Sequence, residues 1–154
     1  MDNLVFKAVS FGINEQIMTL LAALGGLIKK SKKHLLCLLF IFALSSALPD
    51  IYAFTGTTEV RNKPLMKIKG GLSVFITEMF CAFLIGLPLL FINNKIFAVI
   101  CSIIVGLTVI ILNEKLIQKK TIPETIETCI LAIILTSISY IISSYIFKKF
   151  DMKE

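Results

Sequence analysis

The chain has 154 residues, 56% of them hydrophobic, and a mean hydropathy of +0.89. Soluble domains hold nearer ~45–50% apolar residues, so the composition excludes an ordinary water-soluble globule and points to a chain solvated by lipid. The net charge of +6 is no nucleic-acid footprint, because the Lys and Arg residues sit in short clusters between apolar runs, where membrane proteins meet headgroups.

A crossing helix needs about 20 mostly apolar residues, which leaves room for five or six spans and none for a separate soluble domain. The sequence predicts an all-α, five-span bundle in a single membrane domain over residues 1–154, with spans at about 11–28, 35–54, 72–92, 96–112 and 125–147. The first run carries Glu15 in its first half and ends in the basic turn 29–34 rather than a small-residue cleavage site, so a retained N-terminus is expected. The second run is broken by Ser45, Ser46, Pro49 and Asp50, and Pro49 removes a helix donor there. A polar connection over 55–71 holds Arg61, Lys63, Lys67 and Lys69. The third run contains Glu78 and, near its far end, Gly86 and Pro88. Asn93, Asn94 and Lys95 then make a tight turn that folds the third and fourth runs into an antiparallel hairpin. A polar stretch over 113–128 leads to the fifth run, with Pro123 marking a helix start and Glu124 and Glu127 in its first turn. Along that run Ser137, Tyr140 and Ser144 recur at three- and four-residue spacing beside Ser139 and Ser143, a helix-packing face that also suits a dimer contact.

With five spans, Lys and Arg divide eight to eight between the two sides, so the positive-inside rule assigns no orientation. Cys37, Cys81, Cys101 and Cys129 all lie inside apolar runs without C-x-x-C or metal-finger spacing and read as packing residues. The chain has a single His, no Ser/His/Asp set, no H-E-x-x-H and no phosphate-cradling glycine loop, so neither enzyme activity nor a cofactor is expected.

A charge in the hydrocarbon costs about 2.5–3.5 kcal/mol even on the mildest scale, which makes Glu15, Asp50 and Glu78 the most informative residues in the spans. Glu15 lies fourteen residues before Lys29 and Asp50 sixteen after His34, so at ~1.5 Å per residue both stand about 21–24 Å from the basic turn. Counted from the other side, Asp50 and Glu78 fall within about one helical turn of each other. Three acids on three helices are thus expected in one layer. Asp2, Glu59, Glu114, Glu124 and Glu127 fall on a single side of the five-span arrangement, an acidic mouth that would concentrate cations. Asn14, Thr19, Ser45 and Ser46 add neutral oxygens within a turn of the acids, and Met18 and Cys81 could add the sulfur that a transition metal tolerates. Carboxylates crowded in a low dielectric exchange protons for cations, so proton-coupled cation transport is the expected chemistry.

Two segments also resemble a known family. FGINEQIMTLLAALGGL, residues 11–27, resembles the first helix of the vacuolar iron transporter family, with Asn14, Glu15 and Thr19 on its Asn, Asp and Thr. ALSSALPDIYAF, residues 43–54, resembles the end of that family's second helix, with Ser45 on its Ser and Asp50 on its acid. Ser46 stands where the family has a metal-binding Met, Gln16 where it has Gly, and the connection over 55–71 lacks the Glu-rich helical segment by which some members collect metal. The resemblance implies a homodimer that exchanges Fe²⁺ or Mn²⁺ for protons, with a cytoplasmic N-terminus. Depth and resemblance together make Glu15, Asp50 and Glu78, with Asn14, Ser46 and Met18, the expected metal-binding set. The alternative is a small membrane scaffold or partner subunit that transports nothing and whose buried acids are structural.

Overall fold

The computed structural model describes residues 3–56 and 64–149. All regular structure among them is helical: α1 (Asn3–Leu27), α2 (Lys32–Gly56), α3 (Pro64–Phe91), α4 (Lys95–Leu112), continued by a π-helical turn (Asn113–Ile117), and α5 (Ile122–Lys149). Four helical segments, Lys32–Gly56, Pro64–Phe91, Lys95–Ile117 and Ile122–Lys149, are long and apolar enough to cross a membrane. By the length and composition of those helices the chain is a multi-pass membrane protein. Of the five expected spans, the one over 11–28 does not meet that standard.

The physical reason lies in where α1 sits. It touches every other helix, and Ile17, Leu20, Leu21 and Leu24 are fully buried along it. A helix wrapped by its neighbours needs no continuous lipid-facing surface and can hold polar groups if the bundle pairs them. The other four pack against it, leaving a face with Glu15 and Thr19 open, and turn large apolar side chains outward, among them Ile41 and Leu48 on α2, Phe80 on α3, Ile104 on α4 and Ile141 on α5. In water such a surface would aggregate; in a bilayer it is the solvated face.

The helices outrun the expected spans because their ends are polar but still helical. α2 continues through Pro49 to Gly56, so the proline does not break it, and α3 begins at Pro64, eight residues before the expected start. Residues 64–71 and 113–117, expected in connections, are helical; Arg61 and Lys63 lie outside the described residues. The hairpin over residues 93–95 forms as the sequence predicts, with Asn94 Oδ1 accepting from Phe97 N at 3.2 Å to cap α4. At the start of α5, Thr121 N and Oγ1 donate to Glu124 Oε2 at 2.7 and 2.6 Å, the capping-box half that precedes a helix.

The small polar residues of α5 divide between two faces, one packed on α1 and one open. Ser143 Oγ donates to Gly26 O and Thr136 lies against Gly25, while Ser137 and Tyr140 are exposed. Glycine in α1 opposite small polar residues in α5 lets the two backbones approach closely, which is how helices bind one another where lipid supplies no hydrophobic drive.

Candidate functional site

Two buried polar clusters flank α1. The first lies at the middle of the bundle. Gln16, Ser46 and Glu78 each stand near the centre of a helix of 25, 25 and 28 residues, about 15–21 Å from either end at ~1.5 Å per residue. Gln16 and Glu78 are fully buried. Ser46 Oγ stands 2.5 Å from Gln16 Oε1 and 3.0 Å from Glu78 Oε2, and it also reaches the carbonyls of Phe42 and Ala43 in its own helix. One hydroxyl carries one proton, so it cannot donate to four acceptors. Gln16 Nε2 and Glu78 Oε1 are buried and find no partner. Turning the Gln16 amide resolves part of this: one Nε2 proton goes to Ser46 and the Ser46 proton goes to Glu78.

The carboxyl of Asp50 lies beside that of Glu78, and Glu15 is close enough to act electrostatically on both acids. The three acids lie at a similar depth and near enough to feel one another's charge, with unequal parts. Glu78 is buried, Asp50 half-buried, and Glu15 exposed on the outer side of α1. Two carboxyl groups meet stably only with a proton or a cation between them. No ion pair with Lys or Arg involves Glu78 or Asp50 among the described residues.

Other members of the expected set are placed differently. Met18 packs partly buried against the hydrophobic core, and Cys81 is buried one turn beyond Glu78 on α3. Asn14 is turned away from the acids, because it lies two residues from Gln16, about 200° around α1. Gln16 takes the inward place instead. Among the described residues no group of three or more His, Cys, Asp or Glu could hold a metal ion, so a cation at Glu78 and Asp50 would draw its further ligands from Ser46 and Gln16.

The second cluster, which the sequence reading places in a mere connection, joins α1 to the π-turn and α5. Asn14 Nδ2, Lys120 Nζ and Thr128 Oγ1 donate to Glu114 Oε1 at 2.9, 2.6 and 2.8 Å. Asn113 Nδ2 donates to Asn14 Oδ1 at 2.9 Å and to Ser10 O at 2.7 Å, while Ser10 Oγ donates to Asn113 Oδ1 at 2.8 Å. Glu114 is fully buried, and its Oε2 has no partner. The acidic mouth consequently shrinks: Glu114 is inside a paired network, Glu124 caps α5, and Asp2 and Glu59 lie outside the described residues. Glu127 remains exposed. The signal available in sequence was the adjacent pair Asn113 and Glu114 at the end of an apolar run, at the same side of the bundle as Ser10 and Asn14.

No protein-family model, curated protein or solved structure matches this chain.

Proposed function

We propose that this protein is a five-span membrane transporter that exchanges a divalent transition-metal cation, Fe²⁺ or Mn²⁺, for protons, as a divergent member of the vacuolar iron transporter family. The observation that carries the reading is a fully buried Glu78 at mid-bundle that faces Asp50 and has no basic partner among the described residues. An intramembrane acid left so is expensive as structure alone and marks an ion or proton pathway. In the resting state a proton bridges the two carboxyls; an arriving cation displaces it and is held by Glu78, Asp50 and the oxygens of Ser46 and Gln16.

The two departures from the family's motif, Ser46 and Gln16, touch each other. The longer Gln16 side chain thus occupies room that a methionine at 46 would fill, and an amide and a hydroxyl replace a thioether. Without a soft thioether the advantage of Fe²⁺ over Mn²⁺ narrows, so the site suits Mn²⁺ as a substrate beside Fe²⁺. The exposed Glu15, near the middle of α1, is the reason for reading the protein as a homodimer: a second copy covers a carboxylate that lipid would not tolerate. α1, at 25 residues and about 37 Å, is long enough to be the fifth crossing.

In proteoliposomes, Mn²⁺ uptake with countervailing proton movement is expected, and Asp50→Asn and Glu78→Gln should each abolish it while the protein remains monodisperse. Uptake at wild-type rates in both variants would refute the site. The scaffold reading draws on the lack of a three-acid metal group among the described residues. It forecasts no flux in the wild type and reduced detergent stability in the same variants.

A further inference from the structure

The topology gathers two lysine clusters and Lys95 onto one end of the bundle. Lys29 and Lys30, in the α1–α2 turn, stand over the Phe147 ring of α5, 5.7 and 4.9 Å from its centroid. Lys95 Nζ, at the start of α4, donates to Lys30 O at 3.3 Å, and Lys32 Nζ donates to Ile92 O at 2.9 Å beyond α3. Lys148 and Lys149 end α5. These contacts make residues 29–34, 92–95 and 147–149 one continuous surface. Among the described residues it carries no Asp or Glu; Asp151 and Glu154 follow in sequence, outside them.

Five of these seven lysines have local contacts, Lys149 among them with its ammonium 5.9 Å from the Tyr145 ring centroid. Lys32 and Lys95 satisfy carbonyls that helix ends leave open, and Lys29 and Lys30 are held by the ring. Lys33, His34, Lys148 and Lys149 remain exposed, and the first turn of α2 holds Lys32, Lys33 and His34 with no acid, against the sign that a helix N-terminus favours. Like charges drawn together in this way are relieved by an anion. Directly beside them Phe91, Ile96 and Phe97 are exposed at 79%, 64% and 57%. The ligand that fits is amphiphilic, with a phosphate for the lysines and acyl chains for the aromatic and aliphatic side chains.

We propose that this end of the bundle is a binding site for anionic phospholipid, with Lys33, Lys148 and Lys149 holding the headgroup phosphate. It rests on the lysine geometry and not on the transport reading, so neither depends on the other's outcome. The test uses the full chain in detergent micelles doped with phosphatidylglycerol or phosphatidylcholine, with inorganic phosphate as the soluble arm and the thermal midpoint and native mass spectrometry as readouts. Phosphatidylglycerol should raise the midpoint by several degrees and remain bound in the spectrometer; phosphatidylcholine and inorganic phosphate should do neither. The triple variant Lys33→Gln, Lys148→Gln, Lys149→Gln should keep its midpoint in phosphatidylcholine and lose the rise, with binding weakened about fivefold per lysine. Lys67→Gln with Lys69→Gln, at the opposite end, should keep the full rise. Equal shifts with both lipids, a shift with phosphate alone, or a triple variant that responds like the wild type would each overturn the proposal.

Discussion

Replacing Lys120 by methionine is expected to remove about 3 kcal/mol of folding stability, read as a lower thermal midpoint of the purified protein. The ammonium neutralises Glu114, a carboxylate with no exposure to solvent, at 2.6 Å. Without it, Asn14 and Thr128 still donate to Oε1, but the charge itself is stranded in the bundle. Stranding one member of a buried pair costs about 3–5 kcal/mol; the low end applies because Lys120 is 35% exposed and water reaches the gap it leaves. Glu114→Gln added to Lys120→Met should recover most of the loss, since the amide keeps an acceptor for Asn14 and Thr128 and carries no charge. A Lys120→Met protein as stable as wild type, or a double variant no better than the single, would show that this network does not clamp α1 to α4 and α5.

The two adjacent glycines of α1 are expected to respond to alanine with opposite signs. At Gly25 an added Cβ runs into the backbone carbonyl of Thr136, which cannot rotate aside as a side-chain end can. α1 and α5 would have to separate, losing about 2–3 kcal/mol by the usual scale of overpacking. At Gly26 the same methyl meets Ser139 at 3.8 Å, an ordinary contact. There Gly26→Ala gains the helix preference of alanine over glycine, up to about 1 kcal/mol. Thermal midpoints of the two single variants in one detergent are the measurement. Equal destabilisation of both would mean that the α1–α5 interface is looser than the structure has it.

The acid layer was legible because depth in a helical bundle follows from residue count alone: Glu15, Asp50 and Glu78 were countable from the loops. Rotation about the helix was not. Asn14 and Gln16 differ by two positions, which is a negligible change in depth but about half a turn in direction, so the chain alone could not tell which faced Glu78. Hydrophobicity offered no help, since both are amides. The Glu114 network was hidden for another reason. A polar stretch after an apolar run reads as a loop, and only the continuation of α4 into a π-turn brings Asn113 and Glu114 inward against Ser10 and Asn14.

Composition and the spacing of apolar runs by themselves determined a multi-pass helical membrane protein, the order of its helices, the hairpin at Asn93 to Lys95 and the depth of Glu15, Asp50 and Glu78 along their helices. Each of these depends on quantities local to the chain, namely transfer free energy per residue and rise per residue. The tertiary structure alone decided that the helix absent from the four apolar spans touches all the others, that Gln16 and Ser46 meet at Glu78 across thirty residues of sequence, and that Lys120 neutralises Glu114. Those outcomes turn on which face each helix presents to which neighbour. That choice is made by the packing of five helices together, and no single segment encodes it.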